Sequence, residues 1–298
     1  MSKSTKTFEL EARDFNLAHT LGSGQTFRWR PEPDGAWIGP AGSTLYKLSQ
    51  QGARLFAKPL AGLVDPETLN RYLGLEASLA DIASTFPQDP LLEAAKKQFW
   101  GLRLVRQPLF ECLISFIVSA ASNIPKIMIN IDSMCDLGGQ AIEKGQQPFC
   151  CFPTPAELAA MGEPLLRTTR MGFRAKFVAQ VAEIAASGRL DLTELAQLPY
   201  PASQQLMTTL PGVGEKVADC VCLFALAQYE AFPVDTWIKR LLVTHYGAPD
   251  TSNYGKLAGY ARDKFGPNAG YAQQYLYHYA RMNSKALYGS HAPGTKPK

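Results

Sequence analysis

The chain has 298 residues, of which 46% are hydrophobic, so it is long enough for two compact domains and too apolar for a disordered protein. Its formal net charge at pH 7 is +4, which permits a nucleic-acid partner without requiring one. The N-terminal segment lacks the apolar core of a signal peptide, and no uncharged apolar stretch of about 18 residues indicates a membrane span.

The chain contains six cysteines, and none of them belongs to a CxxC pair. Zinc ribbons and iron–sulfur clusters need spaced thiolates, so the sequence predicts no metal and no cofactor. We expect reduced thiols in a protein of the cytoplasm (a bacterial nucleoid) or of a nucleus. The cysteines are Cys112, Cys135, Cys150, Cys151, Cys220 and Cys222.

The first 90 residues predict an antiparallel β-sheet. Short aromatic or β-branched runs alternate there with turn residues, a pattern typical of a meander. A helix is expected over 64–83, with Asp65 as its N-cap ahead of Pro66. The predicted strands are FRWR at 27–30, AWIGP at 36–40, TLYKLSQ at 44–50 and ARLFAKP at 53–59.

From Pro90 onward the pattern is helical, with apolar residues three and four positions apart. The sequence therefore predicts an α+β fold, in which a β-rich domain at 1–90 precedes an all-helical domain at 91–290. A loop is expected at 137–153 and a disordered tail at 291–298. The helical runs cover 91–104, 111–134, 155–162, 173–188, 204–210 and 216–228.

Residues 203–227 predict two helices joined by a tight turn. The first helix is expected to end at Leu210, and PGVG at 211–214 forms the turn. Its two glycines permit positive φ angles and close approach of another backbone. The turn and the start of the next helix would present free N–H groups to a phosphate of any DNA sequence, although a helix–helix turn without a ligand is the alternative. We assign Gly212, Val213 and Gly214 to this DNA-binding turn.

Two side chains near the turn predict chemistry. Lys216 lies one turn into the second helix, where a lysine is usually solvated; beside a pocket it can lose its proton and act as a nucleophile. Asp235 follows 19 residues later in FPVD. It can serve as an N-cap, as a carboxylate that stabilises a cationic sugar, or as both; we expect both.

At this point the sequence resembles a known family. LPGVGEKVADCVCLFAL followed by FPVD is similar to the helix-hairpin-helix signature of base-excision glycosylases, and the lysine resembles that of members with AP-lyase activity. GSGQTFRW at 22–29, the segment 101–123, MGFRAKFV at 171–178 and GYAQQYLYHYAR at 270–281 resemble the 8-oxoguanine DNA glycosylases of the eukaryotic type and their bacterial relatives. These matches span most of the chain.

The resemblance implies roles for individual residues in the binding of the damaged base. Gly24 would offer its carbonyl oxygen to the N7 hydrogen of 8-oxoguanine, which normal guanine lacks. Gln273 would bind the Watson–Crick edge, while Tyr277 and Cys220 would enclose the ring. Taken singly, each residue has an ordinary alternative as a turn glycine, a surface glutamine, a core tyrosine or a buried cysteine.

The resemblance also implies contacts to DNA. Arg174 would touch the base opposite the lesion, and Asn123 would belong to the wedge that enters the duplex. This wedge departs from the family pattern because Ala121 replaces an asparagine. Trp237 departs likewise, since it replaces a histidine two residues after the catalytic aspartate.

We therefore expect a monomeric enzyme that excises 8-oxoguanine from double-stranded DNA through Lys216, with associated β-elimination and no membrane contact. Two alternatives remain at this point. One is a glycosylase of the same superfamily that acts on another damaged base, and the other is a non-catalytic helix-hairpin-helix protein that binds DNA.

Overall fold

Five strands near the N-terminus form one antiparallel sheet in the computed structural model, which describes residues 6–142 and 149–289. The strands are β1 Phe8–Glu11, β2 Arg30–Pro31, β3 Trp37–Ala41, β4 Thr44–Gln51 and β5 Arg54–Ala61. Their order in the sheet is β1-β5-β4-β3-β2. The strands predicted at 36–40, 44–50 and 53–59 are confirmed to within one or two residues.

Most of the described chain after residue 65 is helical. The predicted α+β class is thus confirmed, and the predicted tail at 291–298 lies outside the described residues. Two short strands, β6 Ala141–Ile142 and β7 Phe149–Cys150, pair with each other. The helices are α1 Leu17–Gly22, α2 Pro66–Tyr72, α3 Leu79–Ser84, α4 Pro90–Phe99, α5 Leu109–Val118, α6 Ile124–Gly138, α7 Pro155–Thr168, α8 Arg174–Ala186, α9 Leu192–Leu195, α10 Tyr200–Thr208, α11 Glu215–Phe224, α12 Thr236–Tyr246, α13 Tyr254–Phe265, α14 Ala269–Met282 and α15 Ser284–Tyr288.

The FRWR segment is not a strand before Arg30, so that prediction is wrong for three of its four residues. Phe27 is buried in the core of the helices, whereas Trp29 is buried in the core beneath the sheet. Arg28 between them is also buried and pairs with Glu111 at 3.7 Å. The segment joins the two cores. Because its side chains point into both of them, it does not form a regular strand before Arg30.

The single helix expected over 64–83 is wrong in its length. Asp65 is the N-cap, as predicted, and its Oδ1 accepts the backbone N–H of Thr68 at 3.1 Å. The chain then turns at Gly74, where φ is +66° and a Cβ would lie 2.6 Å from the carbonyl oxygen of Leu104. This close approach of two backbone segments ends α2 and lets α3 start separately.

Two further predictions need correction. The helical run at 111–134 is divided between α5 and α6 at Ala121, whose φ is +49°. The loop expected at 137–153 is wrong at both ends, because α6 continues to Gly138 and β6 pairs with β7.

The apolar interior has two parts, one beneath the sheet and a larger one among the helices. Leu79 of α3 packs into the helical core, and Val105 packs into the sheet core. Side chains from both sides of residue 90 therefore enter the core of the other part of the molecule. The domain boundary at residue 90 stays a prediction. Within residues 6–142 and 149–289, no helix is long and apolar enough to cross a membrane.

Candidate active site

A cavity of about 910 Å³ lies where the turn between α10 and α11 faces α14, α6 and the start of α12. This volume lies within the usual range of small-molecule sites. Predicted site residues from five separate chain segments meet around it, and only Val213 and Arg174 are outside its lining. The predicted residues that line it are Gly24, Asn123, Gly212, Gly214, Lys216, Cys220, Asp235, Trp237, Gln273 and Tyr277.

The turn between α10 and α11 has the predicted hairpin geometry. Gly212 has φ +76°, and a Cβ there would lie 2.6 Å from Cγ of Phe177. Gly214 is the N-cap of α11 and brings no side chain to the cap. Val213 is buried, and its N–H donates to the carbonyl oxygen of Leu210 at 3.2 Å, so this residue anchors the turn. The first turn of α11 therefore presents backbone N–H groups at the rim of the cavity.

Lys216 projects from the first turn of α11 and is half-buried. Its Nζ lies 5.3 Å from the ring centroid of Phe116, so an apolar surface flanks the amine. Cys220, one turn later, is buried, and burial raises the pKa of its thiol to about 11 against the opposing effect of Lys216. The thiol is therefore protonated at neutral pH and contributes an apolar wall to the cavity.

Asp235 is the N-cap of α12, and its Oδ1 accepts the backbone N–H of Ile238 at 2.9 Å. Burial raises the pKa of the carboxyl group, while this N–H and the positive charges of Lys216 and Arg281 oppose the rise. Asp235 and Lys216 both line the cavity, so the two groups belong to one site. Asp235 thus caps α12, as predicted, and also lines the cavity, while its role in stabilising a cationic sugar stays a prediction.

The base-binding residues predicted on α14 face the cavity together because they are four residues apart. Gln273 is buried, and its Nε2 donates to the carbonyl oxygen of Pro233 at 3.0 Å. Its Oε1 has no hydrogen-bond partner among the described residues. A buried acceptor without a partner is costly, so this oxygen is suited to a donor on a ligand.

Gly24 lines the cavity beside Tyr277 and has φ +83°. A Cβ at this position would lie 2.8 Å from Cδ1 of Ile124 and 2.9 Å from Nη1 of Arg281. The backbone conformation therefore favours glycine, a Cβ would displace the ends of two side chains, and the bare backbone borders the cavity.

Arg281 is a cavity residue to which sequence analysis assigned no role. It lies over the ring of Tyr277 at 5.3 Å, and its Nη1 donates to the carbonyl oxygen of Ser23 at 3.4 Å. Gln274 donates to the same oxygen at 3.3 Å. The spacing of positions 273, 277 and 281 along one helical face was the signal that could have identified Arg281.

Arg174 is buried below the wedge rather than exposed toward a DNA base. Its guanidinium donates to three carbonyl oxygens, including that of Ala121 at 2.7 Å and that of Met171 at 2.9 Å. Asn123 is exposed and caps α6 by accepting the N–H of Lys126 at 3.0 Å. In this structure Arg174 therefore holds the wedge, and a direct contact with the opposite base stays a prediction.

Trp237 is half-buried at the cavity, and its ring centroid lies 6.3 Å from that of Tyr288. The indole thus leans on α15 instead of projecting freely. Within residues 6–142 and 149–289, no group of three or more His, Cys, Asp or Glu side chains is arranged to hold a metal ion.

Comparison with known proteins agrees with this geometry. A family model described as the N-terminal domain of 8-oxoguanine DNA glycosylase matches residues 7–113. The chain is 30% identical over 286 residues to the N-glycosylase/DNA lyase OGG1 of Arabidopsis thaliana, covering 90% of this chain and 78% of that protein.

Two solved structures resemble nearly the whole chain. MBOgg1 in complex with a low-affinity DNA ligand is 34% identical with a TM-score of 0.89, covering 96% of this chain and 98% of that one. The Clostridium acetobutylicum 8-oxoguanine glycosylase/lyase, in complex with double-stranded DNA containing cytosine opposite 8-oxoG, is 31% identical with a TM-score of 0.86, covering 93% and 98%. This chain therefore belongs to the family of 8-oxoguanine DNA glycosylase/lyases, the N-glycosylase/DNA lyases of the OGG1 type.

Proposed function

We propose that this protein excises 8-oxoguanine from duplex DNA in base-excision repair, with Lys216 as nucleophile and Asp235 as its partner. One observation carries the proposal. A half-buried amine and a half-buried carboxylate line one cavity of about 910 Å³, which is large enough for a purine. In the same cavity, Oε1 of Gln273 has no hydrogen-bond partner within the part of the chain that the structure describes.

The cavity would accept the damaged nucleotide after it leaves the base stack. The carbonyl oxygen of Gly24 would accept the N7 hydrogen of 8-oxoguanine, whereas the N7 lone pair of guanine would repel it. Gln273 would bind the Watson–Crick edge, between Cys220 and Tyr277. A buried mismatch of this kind discriminates strongly because it leaves two acceptors facing each other.

Excision would begin when the ammonium group of Lys216 gives up a proton and the resulting amine attacks C1′ of the sugar. The bond between Nζ and C1′ forms while the bond between C1′ and N9 of the base breaks, and the base leaves with a proton. Asp235 would stabilise the positive charge that develops on the sugar. The adduct then opens to a Schiff base, and loss of a C2′ proton eliminates the 3′ phosphate.

Binding to DNA would rely on the turn at 212–214 and the first turn of α11, where free N–H groups suit a phosphate. Asn123 and Arg174 would lie near the base opposite the lesion, and Trp237 would lie near a phosphate. A duplex DNA partner is supported by the DNA-bound Clostridium relative. A monomeric state, and a location in a bacterial nucleoid or a nucleus, remain parts of this proposal.

Borohydride trapping on a duplex with 8-oxoguanine tests the amine directly. We expect a covalent adduct with the wild-type protein and none with Lys216→Gln, which should still bind the duplex. Lys239, the other lysine that lines the cavity, is 3.0 Å from Asp250. Trapping should therefore persist in Lys239→Gln. An adduct that disappears in Lys239→Gln and persists in Lys216→Gln would contradict the assignment.

A further inference from the structure

A buried carboxylate with no assigned role lies on the helix that carries Lys216. Asp219 is fully buried, and its Oδ1 accepts the hydroxyl of Tyr200 at 2.8 Å and Nε2 of Gln204 at 2.6 Å. Its Oδ2 accepts the hydroxyl of Tyr254 at 2.6 Å. A buried carboxylate held by three donors is rigid, because loss of any donor leaves part of its charge unsatisfied.

Tyr254 extends this network to the segment that ends at Asp235. It is the first residue of α13, and its hydroxyl accepts the backbone N–H of Val234 at 3.3 Å. The neighbouring carbonyl oxygen of Pro233 is held by Gln273. A continuous path of hydrogen bonds thus joins α11, through Asp219 and Tyr254, to the residue immediately before Asp235.

The two proposed catalytic groups come from different elements, so their separation depends on what connects those elements. Lys216 is fixed by α11, while Asp235 follows an irregular segment between α11 and α12. Tyr254 also lines the cavity, so its phenol connects the two elements at the site itself.

We propose that Tyr254 is a positioning residue for base excision, which sets the place of Asp235 relative to Lys216 through its hydrogen bonds to Asp219 and Val234. This inference rests on the proposed function. Its physical basis is that a misplacement of about 1 Å in a reacting group can reduce a rate about 100-fold.

Tyr254→Phe removes only the hydroxyl and keeps the ring. We expect a fall of about 10-fold in the single-turnover excision rate from an 8-oxoguanine duplex, with the DNA dissociation constant changed less than about 2-fold. Tyr246 provides a matched control, because its hydroxyl donates to a carboxylate oxygen of Asp89 at 2.7 Å away from the cavity. Tyr246→Phe should lose similar stability without a change of rate.

A second control separates the hydrogen bonds around Asp219 from the link between Tyr254 and Val234. Gln204→Met removes a donor to Asp219 but leaves the link between Tyr254 and Val234 in place. It should reduce stability with little effect on excision, so a comparable rate loss in this variant would show that Tyr254 acts only through general stability.

A double-mutant cycle with Asp235→Asn decides whether Tyr254 acts through Asp235. Asparagine keeps the helix cap but removes the charge. The effect of Tyr254→Phe should shrink to less than about 2-fold in that background. An undiminished 10-fold effect there would overturn the inference while wild-type excision still supports the proposed function. A wild-type protein that excises no base would overturn both.

Discussion

A single methyl group at Gly24 tests how closely the cavity is built around its backbone. The φ angle of +83° strains an L-residue by about 1–2 kcal/mol. The new Cβ would also push Cδ1 of Ile124 and Nη1 of Arg281, at 2.8 and 2.9 Å. Both atoms end flexible side chains, so the low end of the cost of overpacking, about 1 kcal/mol, applies.

An effect on the unfolded chain partly offsets this loss of folding free energy. Replacing glycine by alanine restricts the unfolded state and returns about 0.4–1 kcal/mol. We therefore expect Gly24→Ala to lower the free energy of unfolding by about 2 kcal/mol. The methyl group and the displaced Arg281 also intrude on the cavity, so the excision rate should fall at least about 10-fold, which corresponds to about 1.4 kcal/mol.

Gly35 is the matched control. Its φ is +80°, and a Cβ there would meet no heavy atom within 4 Å. Gly35→Ala should therefore cost only the net backbone strain, about 1 kcal/mol, and leave excision unchanged. Urea unfolding at pH 7 and single-turnover excision measure the two effects. Equal stability losses with wild-type rates in both variants would refute the reasoning.

Two further predictions concern stability. His278 is buried with its ring centroid 4.3 Å from that of Phe99, and burial lowers its pKa to about 4. Because this folded pKa lies below the unfolded value of about 6.5, protonation of His278 favours the unfolded state. The free energy of unfolding is therefore at its full value above pH 6.5 and falls by about 3 kcal/mol as the pH falls toward 4. Urea unfolding at pH 7, 5 and 4 should show this loss in the wild type but a smaller one in His278→Phe; parallel curves would contradict the burial argument. Ala121 has φ +49°, so Ala121→Gly should raise the free energy of unfolding by about 0.5–1 kcal/mol, and a lower urea midpoint would show that the wedge is not strained.

Local sequence determined much of the site. Four-residue spacing puts Lys216 with Cys220, and Gln273 with Tyr277, on the cavity-facing sides of their helices. The cap at Asp235 likewise needs only its own helix, and the PGVG turn needs only its glycines. These features were predictable because contacts within a few residues create them.

Only the tertiary structure decided the rest. The segment Phe8–Glu11 becomes a strand because β5 offers it an edge, and FRWR loses regular structure because its side chains enter two cores. The guanidinium of Arg174 donates to the carbonyl oxygen of Ala121, a residue more than 50 positions earlier in the sequence. The hydroxyl of Tyr254 donates to Asp219, which is 35 positions away in the sequence. Such contacts join distant segments, and their free energy arises from burial and hydrogen bonds that exist only after the chain has packed.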